Sequence, residues 1–383
     1  MTESWIDQAE GAARLGIKPQ TLYAYVSRGR IEARPDPADP RRSLYRAEDI
    51  ARLSARKARG RKASAVAQGA MSWGEPVLES AITAVMHGRI WYRGADAADL
   101  AETLTLEETA LRLWACDDPA VFVRPPTPRV RLRGSAQARA FAALAARAGV
   151  DPPAAGRALP SLWADGAGLV GDLAGALGDG ASDAPAHRVL ADALRLDAAG
   201  ADLVRRALVL LADHELNAST FAARIAASTG ASLAASALAG LATLTGPRHG
   251  GAGAAVLALT EEAARLGPEA AVRGWMARGL PPPGFGHVLY PDGDPRARAL
   301  LARFEPEPDL VALKEAAEAL TGHAANVDFA LAALTSRLAL PADTPFALFA
   351  LGRSVGWIAH ALEQLQTGAL IRPRARYVGV HIG

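Results

Sequence analysis

Four short segments of this 383-residue chain indicate its fold and its candidate site: HELNAST (214–220), GPRHGGAG (246–253), GFGHVLYPDGDPRA (284–297) and NVDF (326–329). Each offers a His or an Asp, whereas the sequence around them is largely Ala and Leu and has a helical character. Glycine allows the backbone to turn tightly or to approach a ligand closely. The pattern therefore predicts helices joined by loops that carry the chemistry.

In two of these segments the histidine is predicted to lie in a loop. His249 has Gly246 and Pro247 before it and glycines after it, which predicts a bend at the junction of two helices. His287 follows a run of prolines and Gly284, which predicts a rigid loop. Two loop histidines and an aspartate, with arginines nearby, are suited to acid/base and electrophilic chemistry on a carboxylated substrate.

The composition predicts a mainly α fold with more than one domain. Half of the residues are hydrophobic but only 5% are aromatic, so we expect helices that pack through small side chains.

The single cysteine, Cys116, excludes an intramolecular disulfide and favours a cytoplasmic location. The N-terminus lacks the basic and apolar regions of a signal peptide. Residues 231–246 are too short and too weakly apolar to span a membrane and predict a buried core helix.

The N-terminal segment differs from the rest in charge. Residues 1–70 contain 14 Lys and Arg against 8 Asp and Glu, although the whole chain carries a net charge of only +2. A helix over 6–15, a turn at 16–18 and a second helix from Pro19 predict a helix-turn-helix. A hairpin with its tip at 35–40 and a third helix from about Ala47 follow.

This pattern resembles the small winged helix-turn-helix domains of the MerR and excisionase type. The resemblance implies that the second helix enters the major groove of DNA. The residues expected to face bases are Gln20, Thr21, Tyr23 and Arg28, and those expected to contact phosphates are Arg41 and Arg42. The alternative is a solvated basic domain used for protein contact.

From about residue 74 onward the chain resembles the citrate synthase family. The four segments occur in that family's order with similar spacing, and the match extends to YRGADAADLAETLTLEETALRLW (92–114), GRSVGWIAHALEQ (352–364) and IRPRARYVG (371–379). The winged helix-turn-helix domain is expected at 1–62 and a linker of small residues at 63–72. The citrate synthase resemblance implies that two helical domains follow. The expected large domain comprises 73–250 and 341–383, and the expected small domain comprises 251–340.

The resemblance also implies the roles of individual residues. His249 would donate to the thioester carbonyl of acetyl-CoA, His287 would donate to the ketone of oxaloacetate, and Asp328 would remove a proton from the acetyl methyl. The residues expected to bind oxaloacetate are His214, Asn217, Arg296, Arg353 and Arg372. Arg372 would reach across from the other subunit of a homodimer.

The function implied is citrate synthesis from acetyl-CoA, oxaloacetate and water, without a metal or cofactor. Two alternatives stay open: a 2-methylcitrate synthase that uses propionyl-CoA, and a DNA-binding regulator that senses a metabolite through a citrate synthase fold. The chain has Ala325 where the family often has a proline before NVDF, which predicts an altered loop near Asp328. His360 lies in an apolar segment and is expected to be a satisfied core residue.

Overall fold

The structure is a computed structural model that describes residues 4–17, 19–27, 30–37, 39–40, 42–58, 78–123, 132–178, 184–247, 249–250, 252–375 and 379. The chain divides into two compact units, one of residues 1–79 with 374–383 and one of residues 80–373. The finer boundaries given by the sequence, at 62, 72, 250 and 340, stay predictions.

The described part of the first unit combines three helices with a small sheet. Its elements are β1 (Trp5–Ile6), α1 (Gln8–Leu15), α2 (Pro19–Ser27), β2 (Ala33–Pro35), β3 (Ser43–Arg46) and α3 (Ala47–Ala58). The strands are antiparallel, in the order β1-β3-β2. Helix α1 starts at Gln8 rather than at residue 6 because Asp7 caps it and Trp5–Ile6 pair with β3.

Local chemistry explains the turn between the first two helices. Gly16 has φ +58°, and its amide closes the end of α1, a conformation that glycine adopts without steric cost. Leu22 of α2 and Ile50 of α3 then meet in a common core. The elements follow the predicted order, but this order alone does not establish a DNA-binding domain. Arg28, Arg41 and the side chain of Gln20 lie outside the described residues.

The second unit begins with a small antiparallel sheet and continues as helices. The strands are β4 (Thr83–Met86), β5 (Arg89–Tyr92) and β6 (Ala95–Asp96). The helices are α4 (Ala97–Thr103), α5 (Leu106–Trp114), α6 (Ala136–Ala148), α7 (Leu159–Leu177), α8 (Ala186–Ala193), α9 (Ala198–Leu211), α10 (Ala218–Ser228), α11 (Leu233–Leu244), α12 (Ala252–Leu266), α13 (Pro268–Ala277), α14 (Pro295–Leu301), α15 (Pro308–Thr321), α16 (Val327–Arg337) and α17 (Thr344–Thr367).

The sequence did not predict this small sheet. Arg93 and Gly94 both have positive φ and form the turn between β5 and β6, and Asp96 caps α4. Tyr92 is fully buried, and its hydroxyl lies 3.1–3.2 Å from the carbonyls of Val209, Leu210 and Asp213. The sheet thus fixes the end of α9, where the HELNAST segment begins.

Among the described residues, the hydrophobic core of the second unit forms two clusters. The larger one draws on most of its helices, including α11, whose Leu233, Leu241 and Leu244 are buried as the sequence predicted. The smaller cluster gathers residues from 256 to 333, among them Val256 and Phe329. Within the described residues, no helix is both long and apolar enough to cross a membrane.

Glycines bring α17 and α9 unusually close together. A Cβ added at Gly352 would lie 2.9 Å from the carbonyl oxygen of Leu208, and one added at Gly356 would lie 2.4 Å from that of Ala212. Arg353 lies between them in sequence, and its Nε donates to the carbonyl of Leu211 at 2.8 Å. The two glycines therefore seat this arginine against the end of α9.

We expect Gly356→Ala to destabilise the protein by about 1–3 kcal/mol or more, because the new methyl group overlaps a backbone oxygen that cannot move alone. Gly274→Ala is the matched control. It lies within α13, where the nearest atom to an added Cβ is 3.6 Å away, so it should stabilise the helix by about 0.5–1 kcal/mol. Chemical unfolding measures both changes, and equal effects would contradict this account of the helix contact.

Candidate active site

The HELNAST segment and the His287 loop meet through three aromatic rings. His214 is buried, and its Nε2 lies 2.9 Å from the hydroxyl of Tyr290. The His214 and His287 rings are 5.1 Å apart in an edge arrangement, and the His287 and Tyr290 rings are 4.9 Å apart. Two of the predicted site histidines thus belong to one cluster.

The hydroxyl of Ser219 connects His249 to HELNAST. Its Oγ lies 2.7 Å from His249 Nε2 and 2.8 Å from Asn217 Oδ1, and it accepts from Trp357 Nε1 at 3.0 Å. A hydroxyl has one proton, so Ser219 can donate either to His249 or to Asn217. Nε2 of His249 is occupied by this contact, which leaves Nδ1 as the ring nitrogen for a ligand. As predicted, His249 lies in the bend between α11 and α12.

Hydrogen bonds also tie NVDF to the His287 loop. Asn326 caps α16, since its side chain accepts from the amide of Asp328, and its own amide group donates to the carbonyl of Gly286 at 3.0 Å. The backbone amide of Asn326 donates to the carbonyl of Gly284, which has φ +88°. Asp328 is therefore held, partly buried, in the first turn of α16.

Arg296 is buried and already paired. Its Nε and Nη2 donate to the two carboxylate oxygens of Asp294 at 3.0 and 2.7 Å, and Asp294 also accepts from the amide of Val327. The same carboxylate thus orients the arginine and the start of α16. A ligand would be held through the remaining nitrogen, Nη1.

Arg353 is buried but lacks an ion-pair partner at contact distance among the described residues. Its Nε donates to Leu211, its guanidinium carbon lies 4.9 Å from the centre of the Phe349 ring, and its buried Nη2 has no hydrogen-bond partner. A buried guanidinium with an unpaired donor is costly unless an anion completes it. The site therefore has the chemistry to bind a carboxylate.

Burial keeps the site histidines neutral. It lowers the pKa of His249 to about 4, with the charges of Arg353 and Arg296 acting in the same direction. It lowers the pKa of His287 to about 4 as well, again with Arg296 contributing. Nδ1 of His287 accepts from the amide of Leu289 at 3.2 Å, so its proton is on Nε2. Each ring can donate one hydrogen bond without carrying charge.

The Asp328 carboxyl has the opposite shift. Burial raises its pKa to about 6; the Arg296 and Arg353 cations oppose this rise and Asp294 adds to it. The carboxylate is thus ionised at neutral pH but more basic than an exposed aspartate, which suits a general base. Because both arginines act on the pKa values of Asp328 and His249, these groups share one electrostatic environment.

Arg372 and Asn217 differ from the other residues expected to bind substrate. Arg372 is exposed in the segment after α17 and, among the described residues, makes no hydrogen bond or ion pair with this cluster. Asn217 is used as the cap of α10 and donates to the carbonyl of His214, so it positions HELNAST. His360 is fully buried and hydrogen-bonded, as expected of a satisfied core residue.

Several side chains that order this cluster were not predicted from the sequence. Ser219 and Tyr290 lie inside the quoted segments but lacked a partner that would single them out, and Trp357 and Asp294 act only through a neighbour. One backbone signal became visible with the fold: Glu215, next to His214, has φ +55°, a strained conformation that clusters at functional sites. No group of three potential metal ligands occurs in the part of the chain that the structure describes.

Comparison with known proteins connects these features to one family. A family model described as citrate synthase, C-terminal domain, matches residues 178–374. This range contains all four segments and Arg353.

Individual relatives agree with that match. The chain is 42% identical over 184 residues to a putative citrate synthase 2 of Mycobacterium bovis. This matched region covers 45% of this chain and 49% of the relative. It is 36% identical over 189 residues to 2-methylcitrate synthase 1 of Corynebacterium glutamicum, covering 46% of this chain and 49% of the relative. The chain spans about half the length of these curated relatives.

The fold comparison covers more of the chain. The crystal structure of citrate synthase from Thermotoga maritima superposes with a TM-score of 0.65 at 26% identity, over 81% of this chain and 95% of that one.

Proposed function

The chain belongs to the citrate synthase family, and on that premise we propose that it condenses acetyl-CoA with oxaloacetate and water to give citrate and CoA. The observation that carries the proposal is the unpaired Nη2 of the buried Arg353, whose charge acts on Asp328, a carboxylate of raised pKa. The first group suits a carboxylate of oxaloacetate, and the second suits removal of a proton from carbon.

Asp328 removes a proton from the methyl group of acetyl-CoA. The negative charge develops on the thioester oxygen, where a hydrogen bond from His249 stabilises it. Since Nε2 of His249 is bound to Ser219, the donor is Nδ1–H, and Ser219 must give its hydroxyl proton to Nε2. Asn217 loses little in this state, because its Oδ1 already accepts from the amides of Ser219 and Thr220.

The enolate carbon then attacks the ketone of oxaloacetate. His287 donates its Nε2–H to the ketone oxygen, a direction set by the amide of Leu289 at Nδ1. Arg353, Arg296 and His214 hold the substrate carboxylates, and water hydrolyses the resulting citryl-CoA. We include Arg372 as a contribution from the second subunit of a homodimer, which its exposure in a single chain permits.

The test is the release of free thiol from acetyl-CoA, with and without oxaloacetate. We expect release that requires oxaloacetate, and a folded protein that releases none would overturn the proposal in favour of a metabolite sensor. A relative is a 2-methylcitrate synthase, so propionyl-CoA is measured in parallel. One methylene changes binding by only about 1–3 kcal/mol, so the ratio of kcat/KM for the two thioesters decides between the products.

Ser219→Ala is expected to lower kcat by about tenfold or more, because His249 loses the donor that keeps its proton on Nδ1. The control is Ser228→Ala: Ser228 lies on the same helix, α10, and its hydroxyl donates to the carbonyl of Ile225. Steady-state kinetics compare the two, and an unchanged kcat in Ser219→Ala would contradict the role of this hydroxyl.

The N-terminal unit supports a second, additional function. We propose that it is a winged helix-turn-helix that binds DNA, because α2 exposes Thr21 and Tyr23 and the side chain of Arg42 is largely exposed after the hairpin tip. Binding of the full-length chain to mixed duplex DNA at low salt tests this. Loss of binding in Tyr23→Glu is the expected result, and equal binding by this variant would overturn the assignment. The cytoplasmic location stays a prediction.

A further inference from the structure

A row of hydrogen-bonded, mostly buried polar and charged groups starts at Asp213, next to His214, and has no part in the chemistry above. Asp213 Oδ2 lies 3.2 Å from His360 Nε2, and His360 Nδ1 lies 3.4 Å from Arg224 Nη1. Arg224 also donates to Glu363 at 2.6 Å and to Gln364 at 3.0 Å. Asp213, His360 and Arg224 are at most 1% exposed, so this row is an internal feature of the fold.

The direction of these hydrogen bonds is fixed by arginine. A guanidinium has donors only, so Nδ1 of His360 must accept from Arg224. The proton of the imidazole is then on Nε2, where it donates to Asp213. Asp213 is therefore held as an acceptor at a defined position rather than free to rotate.

Asp213 lies at the junction between this row and the substrate site. It directly precedes His214, and its backbone amide and carbonyl both bond to the hydroxyl of Tyr92. Helix α17 packs onto its side chain, since a Cβ added at Gly356 would lie 2.4 Å from Asp213 Oδ1. The same helix carries Arg353, whose charge has no described carboxylate at ion-pair distance.

We propose that His360 and Asp213 are positioning residues for the carboxylated substrate: His360 anchors the Asp213 carboxylate, which balances the Arg353 cation at longer range and fixes the backbone that presents His214. This inference rests on the proposed function, because it assigns Arg353 and His214 to that substrate. Neither His360 nor Asp213 touches the reacting atoms. A balanced but unpaired Arg353 keeps its Nη2 free for the ligand, whereas a direct ion pair would occupy it.

Electrostatics agrees with this arrangement. Burial lowers the pKa of Arg353 to about 10, and Asp213 is the foremost of the groups that oppose this change. Arg296, Tyr92 and Tyr290 also act on this guanidinium. Electrostatic coupling links it further to Asp328, His214 and His249. Loss of the Asp213 charge would therefore make Arg353 easier to deprotonate.

The test separates positioning from mere stability through the two Michaelis constants. In His360→Leu, which removes the donor to Asp213, we expect KM for oxaloacetate to rise by about tenfold or more, while KM for acetyl-CoA changes little. His360→Gln, which can still offer an N–H toward Asp213, should recover most of the loss. The control is Gln364→Met on the same helix, which removes a contact with Arg224 and leaves Asp213 untouched.

A second measurement uses pH. In Asp213→Asn, the fall of kcat/KM for oxaloacetate at alkaline pH should begin at lower pH than in the wild type, because the neutral side chain no longer supports the charge on Arg353. Thermal melting of each variant shows whether it is folded. A purely structural role would lower the melting temperature without moving this alkaline limb.

The outcomes distinguish this inference from the function on which it rests. A wild-type protein without oxaloacetate-dependent thiol release refutes the proposed function. An active wild type in which folded His360→Leu and Gln364→Met raise the two Michaelis constants equally overturns the positioning role alone. If His360→Leu does not fold, an unchanged alkaline limb in Asp213→Asn overturns it instead.

Discussion

Asp328→Asn is expected to lower kcat by about 10²–10⁴-fold, the range over which a positioned general base contributes. Asparagine keeps the size of the side chain but cannot accept a proton from the acetyl methyl. Its amide should still fit beside the cap made by Asn326. The measurement is kcat from initial rates of thiol release with both substrates saturating.

The matched control is Asp309→Asn. Asp309 also lies in the first turn of a helix, α15, but is exposed, so its replacement should leave kcat unchanged. Asp328→Asn should also raise the melting temperature at neutral pH. Burial raises the pKa of Asp328, so the ionised carboxylate is less favourable in the folded than in the unfolded state, and a neutral side chain removes that cost. Similar kcat values in both variants would contradict the role of Asp328.

The pH dependence of kcat/KM in the wild type also tests the role of Asp328 as the base. Asp328 must be ionised to accept a proton, and burial raises its pKa to about 6. We therefore expect kcat/KM to fall as the pH drops below about 6. An exposed aspartate would shift this limb to about pH 4. Because the His249 and His287 pKa values are about 4, neither histidine should limit activity between pH 6 and 8.

Arg353→Lys is expected to raise KM for oxaloacetate by about 100-fold, which corresponds to about 2–3 kcal/mol of lost binding. In the wild type, the planar guanidinium donates to Leu211 through Nε and also presents Nη2 to a ligand. The single ammonium group of lysine cannot do both. Burial also favours the neutral form of an ammonium group, so part of the charge would be lost. KM for acetyl-CoA should remain close to that of the wild type.

The control is Arg337→Lys. Arg337 is half-exposed and pairs only loosely with Glu307, at 3.6 Å, so its replacement should leave both Michaelis constants unchanged. The calorimetric affinity for oxaloacetate should follow KM in both variants. Wild-type affinity in Arg353→Lys would refute the assignment of this guanidinium to the substrate.

The sequence predicted those parts of the site that depend on local chemistry. Glycines and prolines around His249 and His287 predicted loops between helices, and both residues lie in such loops. The Ala-rich segment 231–246 predicted a buried helix, since small side chains allow close packing and too few strongly apolar residues are present to span a membrane. In each case, nearby residues determine the conformation.

Features that depend on distant contacts could not be predicted in this way. The strands of the sheet over 83–96 have at most four residues each, too few for a clear alternation. Gly356 is required only because α9 approaches α17, and the hydrogen bonds of Ser219 require Trp357 from a distant helix. Likewise, Arg296 gave no sign that Asp294 would occupy two of its three nitrogens.

The central claim is that Asp328 takes a proton from the acetyl methyl and that the resulting carbon attacks a ketone. Mass spectrometry of the products formed from trideuterated acetyl-CoA and oxaloacetate tests it most directly. The account predicts citrate that retains two deuterons, with this product strongly reduced in Asp328→Asn. Acetate that retains all three deuterons, formed without citrate, would contradict it.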